Sequence, residues 1–376
     1  MSRLGNLGHR LHRGEVSYDF VGKRKLWYGV SIVITLVAII GLAVNGLNKG
    51  IEFSGGAVFT TPKTSVSTGD AQTKTQNVIS GHHDVIAQKL GTGGLRIQVS
   101  GIDGTTADKV KQDLAKELNV DPNAISPQVV GPSWGQEISQ KAELGLVIFM
   151  VLVVLYLAVA FEWRMAISAL VALVHDLTIT IGVYAIVGFE VTPGTVIGLL
   201  TILGYSLYDT VVVFDGLKES TKGITSQTRF TYSELANRSL NQTLVRSINT
   251  TVVALLPVAA LLFVGGGLLG AGMLNDIALA LFVGLAAGAY SSIFIATPLV
   301  ASLKERTPEM RALAKRVKAK RAAAEAKGES EEPQDAVPAD VDDEPVEAAA
   351  TATVGGQRRQ PTARSRGRGR PSGKRR

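Results

Sequence analysis

Six long apolar runs set the pattern of this chain: Leu26–Val44, Leu144–Phe161, Met165–Val187, Val191–Phe214, Leu244–Val264 and Ile277–Val300. Each is near the ~20 residues that a helix needs to cross a hydrocarbon layer. The pattern therefore predicts a polytopic α-helical membrane protein with six transmembrane helices. The first run is too long for a cleaved signal peptide, and its small-x-small pattern is weak, so it is read as a helix that stays. Between the first two runs the pattern changes. "GAVFTT" (Gly56–Thr61), "LRIQVSG" (Leu95–Gly101) and "ISPQVVGP" (Ile125–Pro132) read as strands. Ala107–Asn119 places Val110, Leu114 and Leu118 on one helical face, with Thr106 as its cap. Asn77–Leu90 reads as a second helix, weakened by Gly81. The expectation for this region is a small α+β domain of ferredoxin-like type.

Basic residues set the expected orientation. Arg3, Arg10, Arg13, Lys23, Arg24 and Lys25 precede the first run, Arg164 lies between the second and third, and Lys218, Lys222, Arg229, Arg238 and Arg246 lie around the connection from the fourth to the fifth. The connections around Glu190 and 265–276 have no Lys or Arg. Positive residues prefer the cytoplasm, so both termini are expected inside and the 48–140 segment outside. The organisation expected is 1–25 cytoplasmic, 26–47 the first transmembrane helix, 48–140 the extracytoplasmic α+β domain, 141–303 helices two to six, and 304–376 a charged, disordered cytoplasmic tail. That tail begins with a helix-prone basic stretch and continues as an acidic and then a basic, Gly/Pro/Ser-rich stretch, neither of which can bury a core. From Lys304 onward there are 18 Lys/Arg against 12 Asp/Glu, so +6 of the net +7 belongs to the tail and says little about the folded part. With no cysteine, a disulfide, a thiolate metal site and a thiol nucleophile are all excluded.

The polar residues inside the apolar runs carry the chemistry. A carboxylate near a bilayer centre costs roughly 2.5 to 3.5 kcal/mol on insertion scales, and function usually offsets that cost. In the fourth run Thr201, Tyr205 and Asp209 are spaced by four, on one helical face, with Ser206 beside them. The fifth run offers Arg246, Asn249 and Thr250. These two helices run antiparallel, so Arg246 is the candidate partner of Asp209. Asp176, preceded by His175, is a second intramembrane acid. Burial favours the neutral form of a carboxylate and a nearby guanidinium favours the charged form, so a balanced group can take up and release a proton. Arginine stays charged and serves as counter-charge. A structural ion pair between Asp209 and Arg246 is the alternative. His82-His83 reads as a solvated face, Asp215 as a helix-end charge, and "GGGLLGAGM" as a turn or close helix contact, since it lacks the Lys-Ser/Thr of a phosphate loop.

"GIEFSGG" (Gly50–Gly56), "VGPSWGQEI" (Val130–Ile138), "VHD" (Val174–Asp176), "LGYSLYDTVVVFD" (Leu203–Asp215) and "YSSIFIATPLV" (Tyr290–Val300) together resemble the SecF family, over roughly residues 20–300. The resemblance implies half of an RND-superfamily transporter whose six helices pair with six from SecD. It implies an accessory subunit, not an enzyme, that uses the proton motive force to promote polypeptide export across the plasma membrane beside the SecYEG channel and the SecA motor. It puts proton transport on Asp209 and Arg246 and an outer glycine motif on Gly50, Glu52, Gly55 and Gly56; the pattern of polar residues in the spans adds Asp176 as a candidate, or as a group facing a polar interior, with Thr201, Tyr205, Ser206, Asn249 and Thr250 in support. The expected partners are SecD, SecYEG, SecA, the translocating polypeptide, protons and lipid. No cofactor, metal or specific nucleic acid is expected. The sequence departs from the family pattern at Glu52 for the usual Asp, Tyr208 for the usual Asn, Gly216 where an Arg is common, and a looser "SINTTVVA" after Arg246. The rival readings are a non-conducting scaffold subunit and an intramembrane aspartyl protease. The second needs two carboxylates sharing a proton.

Overall fold

A computed structural model describes residues 17–79, 81, 83–266 and 272–326. His82, most of the Gly-rich 265–273 stretch, the basic residues before position 17 and the tail beyond 326 lie outside the described residues. Six described helices are long and apolar enough to cross a membrane: Arg24–Asn45, Ser133–Ala160, Trp163–Val187, Pro193–Ser226, Tyr232–Gly265 and Asp276–Glu305. They are numbered below as the first to sixth spans. Each sits on one of the apolar runs, but all are longer than the runs indicate, the second, fourth and fifth most of all. The fifth starts at Tyr232, well before Leu244, behind a capping box in which Thr231 and Glu234 satisfy each other's backbone N–H groups. Hydropathy marks only the part of a helix that needs hydrocarbon; caps and tertiary contacts decide where the helix ends.

The segment between the first and second spans folds around a four-stranded sheet. Its strands are β2 (Gly56–Thr60), β3 (Val85–Lys89), β4 (Leu95–Ser100) and β5 (Ser126–Val130), in the order β3-β4-β2-β5, all antiparallel. Helix Thr68–Val78 joins β2 to β3 and helix Gly104–Leu118 joins β4 to β5. This is the interleaved split β-α-β arrangement. Phe59, Leu95, Ile97 and Val99 from the sheet bury with Val110, Leu114 and Leu118 from the second helix.

Two local expectations are corrected. Asn77–Leu90 is not a helix: the helix ends at Val78, and Val85–Lys89 is a strand. Gly81, at φ +123°, lies between them, in a backbone region that glycine adopts easily. Thr106 is not the cap of the next helix. Asp103 is, accepting the Thr106 N–H at 2.9 Å, so the helix starts at Gly104.

A shorter parallel ladder ties this domain to the spans. β1 (Asn48–Lys49), leaving the first span, pairs with β6 (Glu190–Val191) in the turn between the third and fourth spans. The fourth and sixth spans approach closely at glycines spaced by four. A β-carbon on Gly284 would fall 2.2 Å from Ile202 Cδ1, and one on Gly288 would fall 3.0 Å from Ser206 Cβ. The helix-prone basic start of the 304–376 tail, a segment expected to be disordered, is a folded helix to Ala326. Helix Pro308–Ala326 buries Met310, Leu313 and Val317 with Met165, Ile224 and Tyr232, and Arg321 pairs with Glu234 at 2.7 Å.

Candidate functional site

Two carboxylates are buried among the third to sixth spans. Asp176 is 0% exposed and Asp209 is 6% exposed. Asp176 Oδ2 accepts from Ser206 Oγ at 2.5 Å and from Ser291 Oγ at 2.7 Å, and its Oδ1 lies 3.2 Å from His175 Nδ1. Asp209 Oδ1 accepts from Ser247 Oγ at 2.9 Å, and its Oδ2 accepts from Ser292 Oγ.

Helix periodicity builds this arrangement. Ser206 and Asp209, three apart, lie on one side of the fourth span. Ser291 and Ser292 are consecutive, so their side chains leave the sixth span about 100° apart and meet different neighbours. The segment Ser292–Ala296 then widens to a π-helical turn, a feature common at functional sites. The close approach at Gly288 brings the sixth span's serines within reach of the fourth. His175 stacks on Tyr290, with ring centroids 6.0 Å apart, and lines a groove of about 450 Å³ with Tyr28, Ser31, Thr35 and Thr178.

The predicted site residues divide into those the structure gathers and those it does not. Asp209 and Asp176 are both buried, joined through the Ser291-Ser292 pair. Ser206 serves Asp176 rather than Asp209. Arg246 does not meet Asp209. It is exposed, no ion pair joins the two among the described residues, and the adjacent Ser247 takes the inward position. Successive helical residues cannot share a face, and here the small one faces in. Tyr205 donates to Thr250 O at 2.9 Å, linking the fourth and fifth spans. Thr201 is exposed and donates to Ile197 O of its own helix, Asn249 is exposed, and the Thr250 hydroxyl also turns back on its own helix, to Arg246 O and Ser247 O. Asp176 and Asp209 accept from different serines, whereas aspartyl proteolysis uses two carboxyl groups that share a proton with each other.

Ser247, Ser291 and Ser292 are the site residues that sequence reasoning missed. Their signal was present as small hydroxyl residues inside otherwise apolar runs. In the glycine motif, Gly55 and Gly56 have structural work. Gly55 ends the short helix Ile51–Ser54 at φ +70°. Gly56 has φ +136°, and a β-carbon there would fall 2.2 Å from Val99 O. Glu52, on that short helix, turns its carboxylate toward Gly50. Among the described residues no group of three His, Cys, Asp or Glu side chains is arranged to hold a metal.

Residues 110–306 match the family described as protein export membrane protein SecD/SecF, C-terminal, and residues 40–62 match the SecD/SecF GG motif. The protein translocase subunit SecF of Streptomyces coelicolor is 68% identical over 376 residues, the whole of both chains. This chain belongs to the SecF family. The protein translocase subunit SecF of Mycobacterium tuberculosis is 43% identical over 325 residues, 83% of this chain and 74% of that one. Among solved structures, SecDF from Thermus thermophilus, described as a translocon-associated membrane protein, superposes with a TM-score of 0.66 at 30% identity. That match takes in 77% of this chain but only 39% of the solved one, so the SecF-family chain spans about two fifths of the fused protein. Six apolar helices and this membership make it a multi-pass membrane protein.

Proposed function

We propose that this chain is an accessory subunit of a protein translocase that uses proton flow at Asp209 to promote polypeptide export across the cytoplasmic membrane. The observation that carries the reading is the hydroxyl-linked pair of acids, Asp209–Ser292 and Ser291–Asp176, inside membrane-spanning helices. Hydroxyls both donate and accept, so serines accommodate a carboxylate in either protonation state and can pass a proton along. The four-residue set needs no cofactor and leaves Asp209 free of a permanent guanidinium contact. A proton crossing the whole membrane releases ~2.3 kcal/mol per 100 mV, enough to bias a domain movement.

Arg246 takes the role of a counter-charge that engages Asp209 in another state of the cycle. The arrangement of polar groups supports a partner. Thr201 and Tyr208 on the fourth span and Arg246 and Asn249 on the fifth are exposed. Lipid penalises such a face, whereas a second six-helix subunit would cover it. SecD is the partner this reading assigns, because the superposed relative is a fused SecDF. SecYEG, SecA and the translocating chain complete the assembly. Both termini lie in the cytoplasm and the 48–140 domain faces outward, by the distribution of Lys and Arg.

The test is export into membrane vesicles that contain the chain with its SecD partner, with and without a proton gradient. Asp209→Asn is expected to assemble normally and to lose the response to the gradient. A variant that assembles and still responds removes Asp209 from the mechanism.

A further inference from the structure

Where the membrane helices meet the 48–140 domain, three elements converge on Gly50. β1 arrives from the first span and pairs with β6, and the Gly50 N–H extends that pairing to Val191 O at 2.9 Å. β4 of the domain sheet supplies Gln98, whose Nε2 donates to Lys49 O at 2.9 Å, and Arg96, whose guanidinium pairs with Glu190 Oε2.

The Glu190 side chain is 6% exposed. Its second oxygen, Oε1, is buried with no hydrogen-bond partner among the described residues, and so is Oε2 of Glu52. A β-carbon on Gly50 would fall 2.5 Å from Glu52 Oε2 and 3.0 Å from Glu190 Oε1, so both unpartnered oxygens crowd the same point. A buried acceptor without a donor is costly. Both lie within 3.0 Å of the point that a Gly50 β-carbon would occupy, so one hydrogen held between the two carboxyl groups would relieve both.

The charge balance favours the same state. Arg96 from β4, Glu52 from the Ile51–Ser54 helix and Asp276 from the start of the sixth span are the charged groups that act on Glu190. Asp276 itself accepts from Thr192 Oγ1 at 3.1 Å. Three carboxyl groups thus stand against one guanidinium. Burial pushes Glu190 above the usual carboxylate range, Arg96 opposes this, and Glu52 and Asp276 add to it.

We propose that Glu52 and Glu190 form a proton-binding pair that holds one shared proton and thereby fastens the 48–140 domain to the turn between the third and fourth spans. With the proton in place the pair carries a single negative charge, which Arg96 matches. Without it, the buried Glu190 carboxylate and the half-buried Glu52 carboxylate repel beside Gly50, and the bridge loosens. The pair lies at the domain end of the spans and does not require proton transfer at Asp209.

The experiment uses the full chain with its SecD partner in lipid nanodiscs. Infrared difference spectra are recorded across pH, together with hydrogen exchange of segments 48–54 and 188–192, each normalised to a reference segment in the fourth span. A protonated-carboxyl band is expected to titrate in the unmodified chain, to disappear in both Glu52→Gln and Glu190→Gln, and to persist with a shifted midpoint in Glu52→Asp. Normalised exchange is expected to accelerate about tenfold as the band is lost, and to be insensitive to pH in Glu52→Gln. A band unchanged by both Gln variants, or exchange that does not follow the band, overturns the proposal. The same titration in Asp209→Asn is expected to be intact, so failure at this pair and failure of the proton path at Asp209 are read separately.

Discussion

Ser291 and Ser292 are neighbours in the chain and serve different acids: Ser291 donates to Asp176 and Ser292 to Asp209. One peptide unit of the sixth span therefore couples a carboxylate on the third span to one on the fourth. A small turn of the sixth span moves both donors at once, so the protonation of each acid bears on the other through a covalent link.

Ser292→Ala leaves Asp209 Oδ2 without its donor, a loss of about 1–3 kcal/mol. Gradient-stimulated export is expected to fall by about tenfold or more. Ser292→Thr, which restores a hydroxyl, is expected to recover most of it. Ser291→Ala is expected to act in the same direction through Asp176. Vesicle export with the gradient on and off, normalised to the amount of assembled complex, checks all three.

Arg246 is exposed and pairs with no acid among the described residues, which separates its two roles. Arg246→Ala is expected to leave the thermal stability of the purified chain within about 0.5 kcal/mol, as for a surface substitution. Export driven by the gradient is expected to be lost all the same. A stability loss of several kcal/mol in a melting experiment would show a structural role and contradict the exposure seen here.

Gly56→Ala tests the glycine motif. Its φ of +136° and the 2.2 Å approach to Val99 O leave no room for a methyl group without moving β2 from β4. Strain and overlap together are expected to cost about 1–3 kcal/mol or more. The check is faster proteolysis within residues 48–140 of the full chain, with the spans still protected.

Glu190 gives a pH dependence whose sign follows from its raised value. A carboxyl group that ionises less readily when folded contributes its stability at low pH and loses it as pH rises through the folded value. Docking of the 48–140 domain is therefore expected to be firmest in mild acid and to weaken on alkalinisation. Arg96→Met removes the group that favours the charged form, so the midpoint of that weakening is expected to move upward. Domain-specific hydrogen exchange as a function of pH measures both.

The spans were legible because hydrocarbon thickness imposes a length and a composition that few other structures need, and the family resemblance followed from the ordered motifs. Strands β2 and β4 were legible from alternation, and Val110, Leu114 and Leu118 did mark the buried face of their helix. The Asp209 region was legible as a cost without an offset. The actual partner was not, because Arg246 and Ser247 are adjacent and only the rotation of the fifth span decides which faces inward. Charge drew attention to the arginine, while packing selected the serine. The Asn77–Leu90 error has a similar origin. Polar residues there suit either structure locally, and the pairing of Val85–Lys89 with β4, a tertiary contact, decides for a strand. Arg96 and Glu190 are 94 positions apart, and nothing local marks them as partners.

The two-residue ladder of β1 and β6 has a mechanical consequence. β6 is followed directly by Thr192 and the start of the fourth span, and β1 follows closely on the end of the first. There is almost no slack between the helix that bears Asp209 and the strand that enters the folded domain. A vertical stroke or twist of that helix relative to the first span would arrive at the domain's base undiminished, where a longer loop would have absorbed it.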